Sequence, residues 1–132
     1  MDFIRKAAAL IFSNERMMIV KPRGKPYFIS PGGKYEGGET AEECLRRELK
    51  EELSVELTKF KPYRTYEIAK AAHSNLPLRL ELYLVEIKGE PKPSAEIEEI
   101  AWLSKADFEA GKYNLAPSFS EFTWDLISEG FL

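Results

Sequence analysis

The stretch Gly33-Lys-Tyr-Glu-Gly-Gly-Glu39 and the later run Arg47-Glu-Leu-Lys-Glu-Glu52 are the most informative part of this chain. Between them, Thr40 and Glu43 have the spacing of a capping box, in which each side chain accepts a hydrogen bond from the other residue's backbone N–H. The pattern therefore predicts a helix over about 41–53. Its apolar residues recur at helical spacing and form one stripe: Ala41, Cys44, Leu45, Leu49 and Leu53.

Carboxylates interrupt the apolar stripe of this predicted helix. Glu48 and Glu52 project into its middle, and Glu51 lies on its margin. Like charges at this spacing repel by about a few tenths of a kcal/mol, and burial raises the cost because a desolvated carboxylate needs a partner or a proton. A hard divalent cation suits several converging carboxylates. In the alternative interpretation the acids form a solvated surface with neighbouring bases, namely Arg46, Arg47 and Lys50.

The segment before the helix is rich in glycine. Pro31-Gly32-Gly33 and Glu36-Gly37-Gly38-Glu39 place four glycines within seven positions. Glycine permits positive φ and close approach of the backbone to a ligand. A loop of this kind at a helix N-terminus offers carbonyls to a metal and N–H groups to a phosphate. A plain tight turn explains the glycines equally well, and only their spacing from the acids distinguishes the two interpretations.

That spacing resembles the signature of the Nudix hydrolases, the MutT-like family. Gly33, five residues, Glu39, seven residues and then Arg47-Glu-Leu-Lys-Glu-Glu52 reproduce it at every charged position, and the resemblance covers Gly33 to Val55. Ser54 stands where the family has a glycine. A serine there either strains a left-handed turn by about 1 kcal/mol or ends the helix in another way. No charged position is affected, so we expect a locally changed helix exit and an intact site.

Length, charge and cysteine content fit one compact enzyme domain. The 132 residues predict a single domain over 1–132, large enough for a core without disulfides. The net charge of −3 predicts no general affinity for a nucleic acid polymer. Cys44 is the only cysteine, and its place on the apolar stripe favours a small buried hydrophobe over a nucleophile. No apolar run is long enough for a membrane span and no signal peptide is recognisable, so a cytoplasmic protein is expected.

The rest of the chain alternates between strand and helix patterns. Strands are predicted over 6–12, 16–21, 27–29, 55–57, 63–70, 78–87 and 97–103, with turns at 13–15 and at Pro62. A short helix is predicted from Ser104, with Asp107 closing its capping box, and a final helix over about 118–128. The fold class is α+β, with a mixed β-sheet flanked by helices. The resemblance implies the α/β/α sandwich of the Nudix fold, which includes the helix over about 41–53 and the C-terminal helix.

The resemblance also implies roles for the charged residues of the motif. Glu48, Glu51 and Glu52 correspond to the acids that bind divalent metals, Mg²⁺ or Mn²⁺ in its place, often with a backbone carbonyl matching Gly32 or Gly33. One of these acids, or a nearby one, is the general base that activates water. The metals clamp a diphosphate, stabilise its developing charge and lower the pKa of the attacking water.

Arg47 and Glu39 resemble the orienting pair of the family. In it the arginine braces the glycine-rich loop against the helix and keeps the metal-binding acids in place. Loss of such an outer partner costs about tenfold or more in activity. A plain helical ion pair between Arg47 and Glu43 or Glu51 is compatible with this role.

Further candidates lie outside the motif. Family members often supply one more acid shortly before a tryptophan, and here Glu96 is the first choice and Glu99 the second, both before Trp102. A solvated acidic loop is the alternative. Arg23 and Lys25, in a basic loop rich in proline and glycine, are candidates for neutralising phosphate, against a role in solubility alone.

Aromatic residues are candidates for stacking on a nucleobase. They are Tyr27, Phe28, Tyr83 and Phe119, although aromatic side chains on strands and helices are more often part of a core. His73, the only histidine, receives no role.

Together these features predict a metal-dependent hydrolase whose small-molecule partner is a nucleoside diphosphate linked to another group. The most economical expectation is a nucleoside triphosphate pyrophosphohydrolase that releases a monophosphate and pyrophosphate. A nucleotide sugar, a dinucleoside polyphosphate or another diphosphate is the alternative substrate. A non-catalytic nucleotide-binding Nudix domain is the alternative of a different class. We expect no membrane partner and either a monomer or a homodimer.

Overall fold

The computed structural model describes residues 2–71 and 74–132. His73 lies outside the described residues. The elements in chain order are β1 Ile4–Leu10, β2 Phe12–Ser13, β3 Arg16–Pro22, β4 Gly32–Lys34, α1 Ala41–Leu53, β5 Glu56–Ile68, β6 Leu78–Lys88, β7 Ile97–Ser104, α2 Lys105–Ala110 and α3 Phe119–Ser128. This arrangement confirms the predicted α+β class.

The strands form two sheets. The larger one has the order β4-β1-β6-β5. In it β1 and β6 are parallel, whereas the pairs β4–β1 and β6–β5 are antiparallel. The smaller one has the order β2-β3-β7 and is antiparallel throughout. The sequence pattern suggested a single mixed sheet, because periodicity shows that a segment is a strand but not which strand it pairs with.

The two faces of the strands bury two separate cores. On one face Ala7, Ala9, Met18 and Val20 pack with the apolar side of α1. On the opposite face the alternating neighbours of these residues pack with α3; the residues are Ala8, Leu10, Met17, Ile19, Phe119, Phe122 and Leu126. Successive strand side chains point to opposite faces, so each strand contributes to both cores. The strands therefore lie between α1 and α3.

Helix α1 has the bounds that the sequence predicts. Thr40 and Glu43 form both hydrogen bonds of the capping box, at 3.2 Å and 2.9 Å. The helix ends at Ser54, which takes the left-handed conformation (φ 56°, ψ 38°) and donates its N–H to the carbonyl of Lys50. Serine thus occupies the conformation that glycine takes at no steric cost, so the first of the two alternatives for Ser54 holds and the helix exit is strained. The expected change in the path of the helix exit is not found, because Ser54 adopts the left-handed turn itself.

Two sequence-based predictions on the strands are wrong. Pro62 does not form a turn, since β5 runs through it from Glu56 to Ile68 with a register shift between Pro62 and Arg64. A proline is tolerated because β5 is an edge strand of its sheet. One side of an edge strand has no neighbouring strand, so the N–H that proline lacks is not needed for pairing there. The segment 27–29 is not a strand either: Phe28 and Ile29 make only isolated bridges.

Smaller differences concern the ends of the elements. The strand predicted over 6–12 is divided between β1 and β2, which belong to different sheets. The short helix after Ser104 and its capping box with Asp107 are present. Helix α3 starts one residue after Ser118, which forms no side-chain cap. In the part of the chain that the structure describes, no helix has the length and apolarity of a membrane span.

Candidate active site

The site is built where the glycine-rich loop crosses α1. Gly33 packs so closely on Glu48 that a Cβ atom there would lie 2.5 Å from the Cδ and Oε1 atoms of that carboxylate. Gly32 has φ +141°, and its N–H donates a hydrogen bond of 2.9 Å to Oε1 of Glu52. Gly33 is therefore needed for the loop to approach Glu48, whereas Gly32 is needed for its positive φ and for its close packing on the backbone of Ala7 and Ala8 in β1.

Arg47 connects the loop to these acids. Its guanidinium donates two hydrogen bonds to Glu39, at 2.7 Å and 2.9 Å, and one to the carbonyl of Lys34 at 3.0 Å. A further hydrogen bond of 2.6 Å goes to Oε1 of Glu48. The hydrogen bonds from Arg47, and then the backbone N–H of Glu36, lower the pKa of Glu39 to about 2. The fork geometry of arginine thus orders the loop and one of the acids together.

The acids of α1 lie in different surroundings. Burial raises the pKa of Glu52 to about 8 and outweighs the hydrogen bond from Gly32, which lowers it. Burial also raises the pKa of Glu48, against the opposing effect of Arg47. Glu51 is more open, with 53% of its side chain exposed and a distance of 3.5 Å to Arg47. Glu48 and Glu52 are thus two poorly solvated carboxylates one helical turn apart. Arg47 hydrogen-bonds Glu48, whereas Glu52 accepts its hydrogen bond from the backbone of Gly32.

A second network holds the loop from the other side. The hydroxyl of Tyr35 donates a hydrogen bond of 2.5 Å to the buried carboxylate of Glu81 on β6. Arg5 on β1 donates two hydrogen bonds to the same carboxylate and lies 4.0 Å over the Tyr35 ring. These residues were missed at the sequence level, because they come from three separate segments with no shared motif. The loop is therefore attached to both α1 and the larger sheet.

A cavity of about 320 Å³ opens beside the two half-buried acids. Charged side chains of both signs line it: Lys6, Lys25, Lys34, Glu48, Glu52 and Glu96. Its apolar lining comes from the sheet and from α3: Ala8, Ile29, Leu78, Leu80, Ala116, Phe119 and Phe122. A small molecule with an anionic part and an apolar part fits such a space.

The structure brings some of the predicted outer residues to this cavity. Lys25, Tyr27, Phe119 and Glu96 line it, as do Gly32 and Gly33. Among residues that sequence reasoning missed, Lys6, Ser30 and Lys34 also line it, and the hydroxyl of Ser30 is buried without a hydrogen-bond partner in the described structure. A charge at Lys6 between the apolar positions of β1 is the signal that could have identified this lysine.

Other predicted residues lie elsewhere. Phe28 is 7% exposed and packs edge-to-face on Tyr113, with ring centroids 5.3 Å apart. Tyr83 packs on Phe60 in the α1 core, and neither Tyr83 nor Phe28 lines the cavity. Glu99 is exposed on β7 opposite Lys21.

The basic loop is divided in the same way. Arg23 does not line the cavity that Lys25 lines. Its backbone N–H donates a hydrogen bond of 2.6 Å to the carbonyl of Glu96. Arg23 is thereby linked to a segment that does reach the cavity.

The donor set suits a hard divalent cation, because Glu48 and Glu52 offer poorly solvated oxygen ligands and Glu51 adjoins them. Over residues 2–71 and 74–132, no three acidic, histidine or cysteine side chains already converge at metal-binding distances. Arg47 and the Gly32 N–H hold Glu48 and Glu52 instead. The residue types fit such an ion.

Two sheets between helices, with a glycine-rich loop braced by arginine against a glutamate-bearing helix, define the Nudix fold. The family model described as the NUDIX domain matches residues 3–123. The chain therefore belongs to the Nudix family, and it is an enzyme of the Nudix hydrolase class. Members of this family generally use divalent metals and act on small nucleotide substrates.

Solved structures agree with this assignment. A nudix hydrolase family member from Chromobacterium violaceum is 27% identical, with a TM-score of 0.64, and the match covers 80% of this chain and 66% of that one, slightly less than two thirds. The ORF135 protein of E. coli is also 27% identical, with a TM-score of 0.70 and 89% and 83% covered. A MutT from a study of Aliivibrio salmonicida and Vibrio cholerae shares the fold at 23% identity, with a TM-score of 0.77 and 97% and 99% covered. No curated protein matches the chain by sequence.

Proposed function

We propose that this enzyme is a divalent-metal-dependent pyrophosphohydrolase that cleaves a nucleoside triphosphate to a monophosphate and pyrophosphate. The observation that supports it best is the pair Glu48 and Glu52, two poorly solvated carboxylates one helical turn apart beside a cavity that also carries lysines and apolar residues. Such a pair is costly to bury unless it serves a cation. Mg²⁺ is the proposed ion, with Mn²⁺ as a substitute.

Glu48, Glu51 and Glu52 are the proposed ligands, with a carbonyl of Gly32 or Gly33. When bound, the ion supplies charge neutralisation for the diphosphate and a lowered pKa for the attacking water. Glu96 is the proposed additional acid, since it reaches the cavity, and Glu99 is the second choice.

The protein's own side chains are proposed to accept the proton of the attacking water and to position the loop. Water attacks a phosphorus atom, the phosphoanhydride P–O bond breaks, and a carboxylate of α1 accepts the proton of the water. Arg47 and Glu39 hold the loop so that the Gly33 backbone stays against Glu48. The leaving group is pyrophosphate, and its departing oxygen is a phosphate oxygen. The site therefore does not need to donate a proton to it.

The substrate's organic part is proposed to occupy the apolar side of the cavity. Tyr27 lines it and is half-buried, so it is the proposed stacking residue. Phe119 also lines the cavity but is only 2% exposed, so like the buried Phe28 it mainly supports the core, and its proposed part in binding is limited to the cavity wall. Lys25, and Arg23 near it, are proposed to neutralise phosphate charge. A diphosphate with a base or another flat group suits this division of the lining.

A panel of substrates tests the proposal. Nucleoside triphosphates, nucleotide sugars and dinucleoside polyphosphates are incubated with the enzyme in Mg²⁺, and the phosphate products are separated and counted. We expect monophosphate and pyrophosphate from a triphosphate, and a loss of about a hundredfold or more in kcat for Glu52→Gln.

The matched control is Glu42→Gln. Glu42 lies on α1 as well, but it pairs with Arg46 on the exposed side at 2.9 Å and does not line the cavity. This variant should retain wild-type rates. Full activity of both Glu51→Gln and Glu52→Gln would remove the metal-site assignment, and turnover of a nucleotide sugar alone would replace the triphosphate as substrate.

A further inference from the structure

Lys6 is a charged residue on a strand face whose other residues are apolar and buried. Its neighbours at alternate positions of β1, Ile4, Ala8 and Leu10, are buried in the core that faces α3. Lys6 points to the same face, is half-buried and lines the cavity. Lysine is rarely buried without a partner, since its ammonium group loses hydration there. A cationic side chain at this position therefore needs a compensating group.

The described part of the chain provides no such group in direct contact. Neither Lys6 nor Lys34 has a carboxylate within 4.0 Å in residues 2–71 and 74–132. The ammonium group of Lys6 makes no hydrogen bond to the protein there either. Glu48 and Glu52 attract Lys6 only from beyond 4.0 Å, so a group in direct contact with its ammonium must come from outside the chain or from the solvent that enters the cavity.

The neighbour of Lys6 across the sheet has the same charge. Lys6 on β1 lies directly opposite Lys34 on β4 in the antiparallel register, and both side chains line the cavity. Directly opposed like charges destabilise a strand pair. A bound anion between them would turn this repulsion into a favourable contact, which is a reason for such a pair to exist.

The position of the pair relative to the proposed ligands of the ion suggests what the anion is. Lys34 follows Gly33, which packs on Glu48, and on the other side Lys6 is paired with Leu80 of the apolar lining. The two lysines thus lie between the acids and the apolar part of the cavity. In the proposed reaction that is the place for the phosphates that join the reacting phosphorus to the organic part.

We propose that Lys6, together with Lys34, forms an anion-binding subsite that holds a phosphoryl group of the diphosphate substrate. The identity of the anion depends on the proposed function, but the anion site itself does not. Lys6 contributes a charge-assisted hydrogen bond to a phosphoryl oxygen. It is a binding residue, and its effect should appear in substrate affinity before it appears in the rate of the chemical step.

The test measures anion binding without catalysis. Inorganic pyrophosphate is titrated into the protein of 132 residues in EDTA, and binding is followed by calorimetry for the wild type, Lys6→Met and Lys6→Arg. Methionine keeps the apolar stem and removes the charge, whereas arginine keeps the charge. We expect Lys6→Met to weaken binding by about tenfold or more and Lys6→Arg to stay within about threefold of the wild type.

Lys59→Met is the matched control, because it removes the same charge from a side chain that is 80% exposed on β5. It should bind pyrophosphate like the wild type. Circular dichroism checks that each variant is folded, and Lys6→Gln replaces Lys6→Met if the methionine variant is not. In hydrolysis assays, Lys6→Met should raise KM by about tenfold with a smaller change in kcat.

Three results would overturn the inference. The first is equal pyrophosphate binding by the wild type and by the uncharged Lys6 variant. The second is the absence of saturable binding to the wild type at millimolar pyrophosphate. The third is tighter Mn²⁺ binding by Lys6→Met with unchanged pyrophosphate affinity, which would make Lys6 a counter-charge for Glu48 and Glu52. If pyrophosphate binding depends on Lys6 but no nucleotide is hydrolysed, the proposed function fails and the anion site remains.

Discussion

Replacing Gly33 by alanine is the most direct test of how the loop and α1 fit together. Every other glycine of the chain has a positive φ, whereas Gly33 has an ordinary one, so alanine adds no backbone strain there. The substitution only adds a methyl group. That group would lie 2.5 Å from Cδ and Oε1 of Glu48 and 2.8 Å from its Oε2.

The size of the effect follows from these distances. Ordinary contacts of a Cβ atom begin at 3.4 Å, so the carboxylate of Glu48 must move by about 1 Å. It then loses its 2.6 Å hydrogen bond to Arg47 or forces the loop away from α1. We expect a loss of about 1–3 kcal/mol in the free energy of unfolding, as for other overpacked sites. Displacement by this distance should also cost about a hundredfold in kcat.

The assay is a double-mutant cycle in urea denaturation, carried out in EDTA so that no metal contributes. Gly33→Ala is measured in the wild type and in a Glu48→Ala background, where the clashing carboxylate is absent. The cost of the methyl group should largely disappear in that background. Gly37→Ala is the control: its Cβ meets open space, but its φ of +48° makes it cost about 1 kcal/mol in both backgrounds. An equal cost of Gly33→Ala in both backgrounds would refute the contact between Gly33 and Glu48.

Three further predictions concern the same region. Because burial raises the pKa of Glu52 to about 8, its proton is bound more tightly in the folded state, so stability is fully present below about pH 4.5 and is lost as the pH rises through 8. In EDTA the free energy of unfolding should therefore fall by about 3–4 kcal/mol between pH 5 and 8, and by less in Glu52→Gln, as measured by urea denaturation. Ser54→Gly should raise the free energy of unfolding by about 0.5 kcal/mol in thermal melts, since relief of the left-handed strain exceeds the loss of the exposed 3.0 Å contact with Ser94. Tyr35→Phe, which removes the hydrogen bond to Glu81 but keeps the ring, should lower kcat/KM by about three- to tenfold with a change in melting temperature of only about 2 °C; unchanged kinetics would show that this attachment of the loop does not serve the site.

Features that depend on neighbours a few residues apart can be read from the order of the amino acids alone. The capping box of Thr40 and Glu43, the apolar stripe and the acids of α1 are all set by spacing within about four turns of helix. The same holds for α2, whose cap and closing acid are three residues apart. The spacing of the glycine-rich loop and the helix also sufficed to place the chain in its family, because that motif is contiguous.

Which distant segments meet could be seen only in the folded molecule. The pairing of Lys6 with Lys34 and the hydrogen bonds from Arg5 and Tyr35 to Glu81 join residues that are 28 to 76 positions apart. The continuity of β5 through Pro62 was likewise invisible, because a proline is excluded from a central strand but tolerated at an edge, and edge position is a property of the whole sheet. Periodicity reports the face that a side chain occupies, whereas the partner on that face is chosen by strand order and register.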